Sequence, residues 1–159
     1  MLIKKLTLPL TALLLIMFNG CAGLNWKKFD NFQEPSNSEN AMIYIYSWPY
    51  SITTKLMPPG YVFIKENGKD LLLTKYHMNS YTKTEIQAGR TIELWASAAL
   101  YAARPSVKLF IEKNKIYCFK ADYDRNGFRI TPTFAQVDME TCKKEIANLI
   151  YDYNKKKGE

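Results

Sequence analysis

A mainly β domain, an antiparallel β-sandwich or small barrel of about seven or eight strands with a C-terminal helix, is the fold this chain predicts. Two observations predict it. Short runs rich in β-branched and aromatic residues recur from residue 42 to residue 131, each bounded by Gly, Asn, Asp or Pro. No long helical periodicity interrupts them until the C-terminal end, where apolar residues fall at helical spacing.

The elements follow in order. Met42-Ile43-Tyr44-Ile45-Tyr46-Ser47-Trp48 reads as the first strand, and Pro49, Pro58, Pro59 and Gly60 bound the loop after it. Residues 61–65 and 70–74 flank Glu66-Asn67-Gly68-Lys69. Asn-Gly supplies two positions that tolerate positive φ, as a type I′ hairpin turn requires, and this is the strongest local signal in the chain. Residues 81–86 are expected to meet 91–96 across Gln87-Ala88-Gly89-Arg90, and 107–111 to meet 116–123 across Lys113-Asn114-Lys115. Asp124-Arg125-Asn126-Gly127 reads as a turn into Phe128-Arg129-Ile130-Thr131. Residues 97–104, with four alanines, read as a helical turn or an irregular crossover. Asp138 is placed to cap a helix from Met139 to about Asn154. Met139, Cys142, Ile146, Leu149, Ile150 and Tyr153 would share one face of it and dock on the domain's own sheet.

The N-terminus has a different texture. Lys4 and Lys5 precede an apolar run over residues 6–18. That run is shorter than the ~20 apolar residues of a membrane span and fits the core of an export signal. Phe18-Asn19-Gly20-Cys21-Ala22 then resembles the lipobox of bacterial lipoproteins, in which the cysteine is acylated before cleavage; Phe18 and Asn19 depart from its usual pattern. The resemblance implies a signal peptide over residues 1–20, palmitate-type lipid on Cys21, and a cell-envelope address. Ala22 in place of Asp favours the outer membrane facing the periplasm. The competing reading is an ordinary export signal with an unmodified cysteine. Residues 21–40 are polar and rich in turn formers, so they read as lipidated cysteine and flexible tether, with residues 41–159 as the domain. Trp26, Phe29 and Phe32 are unusual in a spacer and suit either a membrane interface or docking on the domain.

Two of the 22 basic residues lie in the signal and none of the 15 acidic ones do, which leaves the mature chain near +5. Apart from Lys155-Lys156-Lys157 the basic residues are scattered, as on a solvated surface. Export makes nucleic acid an improbable partner. Cys118 and Cys142 remain after the lipid cysteine. They would form a disulfide in an oxidising periplasm, worth about 3–4 kcal/mol in the chain-entropy model, or pack as two buried thiols.

No catalytic signature accompanies this pattern. The single histidine, His77, has no nucleophile motif near it, and there is no H-E-x-x-H or C-x-x-C for a metal. Asp122, Asp124, Asn126 and Gly127 match the start of a calcium loop, but Thr133 stands where its last acid belongs. Glu85, Glu93, Glu112, Asp122 and Asp124 show no pairing of the kind glycosidases use. The expectation is therefore no catalytic residue, no metal and no cofactor.

Read in order, the domain resembles the DUF2846 group of bacterial lipoproteins over residues 42–136. Ile43-Tyr44-Ile45-Tyr46, the Asn67-Gly68 hairpin, Asn79-Ser80-Tyr81 through Ile86 to Ala88-Gly89, and Lys115-Ile116-Tyr117-Cys118-Phe119 carry the resemblance. It implies a β-sandwich without an assigned activity. The functional expectation is a non-catalytic envelope lipoprotein that binds a protein or glycan partner or serves as a structural module. The alternative is an enzyme acting on cell-wall glycan or peptidoglycan. Trp48, Tyr50 and Tyr101, if exposed together near loops, would form an aromatic binding surface.

Overall fold

The computed structural model describes residues 28–47, 59–98, 104–126 and 129–151. The chain forms β1 (Asn40–Ser47), β2 (Gly60–Glu66), β3 (Lys69–Tyr76), β4 (Ser80–Gln87), β5 (Arg90–Ala98), β6 (Ser106–Ile111), β7 (Ile116–Asn126) and β8 (Arg129–Val137). A helix, Met139–Ile146, and a two-residue strand, β9 (Ile150–Tyr151), follow. One sheet has five strands in the order β8-β7-β1-β4-β9 and the other four in the order β3-β2-β5-β6. Neither closes on itself, so of the two expected forms the fold is the sandwich.

β1 lies at the centre of the five-stranded sheet, and its sequence is written for that place. Ala41, Ile43 and Ile45 point toward the other sheet, while Met42, Tyr44 and Tyr46 point away from it, and all six are buried. A strand covered on both faces needs apolar residues at every position rather than at alternate ones. The inter-sheet core joins these residues to Val62 and Ile64 of β2, Ile92 and Leu94 of β5, and Phe119 of β7, whose ring stacks on Phe134 of β8 at 5.3 Å. Burying each such side chain stabilises the fold by roughly 1.5–3 kcal/mol.

Two of the expected hairpins are present. β2 and β3 pair through Glu66↔Lys69, with Asn67 at φ 50° and Gly68 at φ 75° completing the turn. β7 and β8 pair down to Asn126↔Arg129, so Asp124 and Asn126 belong to the strand rather than to the turn the sequence suggested, and Gly127 and Phe128 lie outside the described residues.

The other two are corrections. β4 pairs with β1 and β9, whereas β5 pairs with β2 and β6, so the link at Gln87–Arg90 carries the chain from one sheet to the other. Gly89, at φ 81°, donates its N–H to the Ile111 carbonyl at 2.7 Å, and Ala88 donates to Glu39 at 3.2 Å, which pins the corner to both sheets. The link from β6 to β7 also crosses between sheets. There Asn114, at φ 55°, donates to the Asn40 carbonyl at 2.8 Å, and Met42 donates to Lys115 at 2.9 Å. β7 therefore starts beside the start of β1 and runs parallel to it, Met42 opposite Ile116.

The helix is also shorter than its apolar spacing predicts. It begins where expected, with Asp138 accepting the Thr141 N–H at 2.8 Å, but it stops at Ile146. Leu149 is buried after a turn, and Ile150 and Tyr151 pair with Ser80 and Tyr81 along the edge of β4. Pairing there satisfies backbone groups that the edge of β4 would otherwise leave open. Tyr153 lies outside the described residues.

Candidate functional site

The outer face of the five-stranded sheet carries a set of polar ties that bind two chain segments to it. It is built by register. Tyr44 stands between Lys83 and Cys118, and Tyr46 between Tyr81 and Lys120, so one face of three strands presents phenols, a sulfur and two amines together. Two chain segments close over it.

The first is the helix. Cys142 reaches down to Cys118 of β7, and the two form a disulfide with Cα atoms 6.3 Å apart and a sequence separation of 24. Both residues are fully buried, which shields the bond from external thiols and makes it a structural clamp rather than an exchange centre. One turn later, Glu145 accepts the buried Tyr46 hydroxyl at 2.5 Å and meets the Lys120 ammonium at 3.1 Å, while Lys120 also lies 3.5 Å from Asp122. Burial, followed by the neighbouring Glu145 carboxylate, pushes the Tyr46 phenol well above its usual range. Tyr46 thus stays protonated and donates. The spacing of Cys142 and Glu145 on one helix face over Cys118 and Lys120 on one strand face is the signal that would have revealed this cluster.

The second segment is residues 28–40, which the sequence suggested as a flexible tether. Along its described part it packs against the sheet. Phe29 and Phe32 meet edge to face at 4.9 Å, Phe29 packs on Tyr81 at 5.6 Å, and Phe32 packs on Tyr44 at 5.0 Å. The Gln33 N–H donates to the Tyr44 hydroxyl at 2.7 Å, and Lys83 donates to the Gln33 side chain. Glu85 of β4 then takes the segment in both oxygens: Oε1 accepts the Ser36 N–H at 2.8 Å, and Oε2 accepts the Ser36 hydroxyl at 2.9 Å and the Asn40 amide at 3.2 Å. Those donors, the Ser36 N–H first, hold the Glu85 carboxyl below its usual range. The polar composition of the segment hid this docking, because three of its polar residues, Gln33, Ser36 and Asn40, bond to the sheet.

The outer face of the four-stranded sheet differs. Phe63 stacks on Trp95 at 4.3 Å, and the indole N–H donates to Asp70 at 2.9 Å. Arg104 lies over the Trp95 ring at 4.8 Å, and Trp95 itself is buried. On the same sheet Leu72, opposite Phe63, and Phe110, opposite Thr91, are more than half exposed, at 59% and 56%.

Of the residues singled out from sequence, the structure joins Cys118 to Cys142; Cys21, Trp48, Tyr50 and Tyr101 lie outside the described residues. His77 sits in the turn before β4, where its carbonyl accepts the Ser80 hydroxyl at 2.7 Å. That bond spends the serine on the backbone rather than on the imidazole. Among the described residues no group of His, Cys, Asp and Glu converges as metal ligands, and no helix is long and apolar enough to cross a membrane. No protein-family model matches the chain, and no curated protein matches it either.

Proposed function

We propose that this protein is a lipid-anchored lipoprotein of the bacterial cell envelope, held by acylated Cys21 at the outer membrane and facing the periplasm, and that it acts as a non-catalytic binding or structural module. The observation that carries the reading is the order Lys4-Lys5, apolar run, Gly20-Cys21 at the start of the chain. The buried Cys118–Cys142 disulfide supports it, because such bonds persist in oxidising compartments and are rare in the cytosol. The resemblance to the DUF2846 group points to the same address.

The engagement of the acids supports the non-catalytic part. Glu85 holds Ser36 and Asn40, Glu145 holds the helix, Asp70 holds Trp95, Glu66 pairs with Arg90, and Asp138 caps the helix. A glycosidase needs two acids facing a shared cleft with room for substrate. Carboxylates whose oxygens are already taken by the protein's own donors suit scaffolding.

The test is metabolic labelling with radioactive palmitate in cells that express the full chain. Label on the wild type that disappears in Cys21→Ser establishes the anchor. Absence of label on the wild type overturns it and leaves an exported domain without lipid.

A further inference from the structure

Residues 28–40 form a strap, and its fastening has a consequence for where the domain sits. The inference rests on the lipid anchor proposed above. Between Cys21 and Lys28 there are seven Cα-to-Cα steps, which span at most about 25 Å when fully extended. With the strap released up to Asn40 the same anchor would allow roughly 65 Å. Fastening thus shortens the greatest reach by more than half. The strap also lies on the outer face of the five-stranded sheet, against Tyr44, Tyr81 and Glu85. Stacked sheets are spaced by about 10 Å, so the four-stranded sheet lies farther from the point where the chain leaves toward its anchor.

We propose that the strap is a reach-setting lock: fastened by Phe29, Phe32, Gln33 and Ser36 to Tyr44, Tyr81 and Glu85, it holds the domain close to the lipid surface with the five-stranded sheet on the membrane side and the four-stranded sheet turned outward. The fastening is made of parts that work together. Two aromatic rings fill the surface between β1 and β4, one N–H caps a phenol, and one carboxylate gathers three donors. A passive spacer has no reason to present Phe29 and Phe32 three residues apart or to set Ser36 over Glu85. The outward sheet is the one that carries exposed Leu72 and Phe110, so the lock aims that face toward the periplasm.

The experiment uses the full lipidated protein in vesicles containing an acceptor-labelled lipid. Donor dyes go on cysteines introduced singly as Lys144→Cys on the helix and Lys108→Cys on the four-stranded sheet, both exposed positions. Energy transfer to the membrane is expected to be higher from position 144 than from 108. Phe32→Ala with Glu85→Ala is expected to lower both and narrow the gap. Gln33→Pro, which removes both the N–H donated to Tyr44 and the side-chain amide that Lys83 meets while leaving every sheet residue in place, should act the same way if the double variant fails to fold. Hydrogen exchange supplies the second readout: the Ser36 amide should exchange roughly tenfold faster once Glu85 is truncated. Equal transfer from the two positions, transfer unaffected by these changes, or an unprotected Ser36 amide in the wild type overturns the lock. Wild-type protein that takes no palmitate overturns the anchor and the reach proposal with it, while a protected Ser36 amide in that case would leave the strap as a feature of the fold alone.

Discussion

The two outer faces of this sandwich are treated in opposite ways. Over the five-stranded sheet the chain folds back twice, once with residues 28–40 and once with the helix, and it fastens each piece with polar or covalent ties. Over the four-stranded sheet, Phe63, Trp95 and Arg104 pack on one another while Leu72 and Phe110 face solvent. The difference teaches that the second hydrophobic cluster is a built interior and not a by-product of strand sequence. Met42, Tyr44, Tyr46 and Tyr81 are buried only because non-sheet segments cover them. Stability of the covered face should therefore depend on the fastenings, and that of the barer face, where among the described residues no segment is fastened over Leu72 and Phe110, should depend on them less.

The largest expected effect breaks the covalent fastening. Replacing Cys118 and Cys142 together by Ala removes a link across 24 residues, for which the chain-entropy model gives about 3.5 kcal/mol. Urea unfolding should show the unfolding free energy lowered by that amount and the midpoint lowered with it, and hydrogen exchange should quicken first at the amides of positions 142 and 147, whose bonds belong to the helix. If the midpoint does not move, the helix is held by Glu145 and apolar packing alone. The covered face would then owe little to its disulfide.

A smaller effect separates the polar fastening from the apolar one. Tyr46→Phe keeps the ring and removes the hydroxyl that Glu145 accepts, leaving Glu145 with Lys120. About 1–2 kcal/mol should be lost near neutral pH. The pH dependence carries the sign. Burial raises the phenols of Tyr46, Tyr76 and Tyr44 above their ordinary value of 10, so the folded protein keeps protons that the unfolded chain releases in alkali. Their contribution is fully present below the unfolded pKa of 10 and is lost as pH rises beyond it. Wild-type stability should fall steeply above that point. In Tyr46→Phe the fall should be shallower by the contribution of one group, as measured by unfolding at a series of alkaline pH values.

How much of this was legible in the sequence depends on whether a feature was local. The Asn67-Gly68 turn was, because two consecutive residues at positive φ answer to local sterics. So was the helix start at Asp138. The partner sheet of each strand was not. Gly89 and Asn114 provide positive φ equally well for a hairpin and for a corner between sheets, and what decides is the packing of β5 and β7 far along the chain. The end of the helix was hidden for a similar reason, since Leu149 and Ile150 satisfy helical spacing and strand pairing at once. On the covered face, Phe29 and Phe32 stood out as aromatics in a polar stretch, but their choice of the domain over a membrane depended on Tyr44 and Tyr81, which meet only after β1 and β4 pair.

The smallest expected effect tests the bare face. Leu72 lies on the edge strand β3 with its side chain 59% exposed, opposite Phe63 in the register. Leu72→Thr keeps a residue suited to strands and gives up little buried apolar area, so stability should change by no more than about 0.5 kcal/mol. The same exchange at a covered position would cost several times as much, because there the lost atoms leave a cavity. A loss at Leu72 beyond about 2 kcal/mol would therefore mean that this face is covered in solution. Measuring the unfolding midpoint at two protein concentrations tells what covers it. A midpoint that rises with concentration in the wild type, but not in Leu72→Thr, places a second copy of the chain on the four-stranded sheet, since stability gained by association follows mass action. A midpoint independent of concentration, together with a small loss, leaves the contrast between the two faces as drawn.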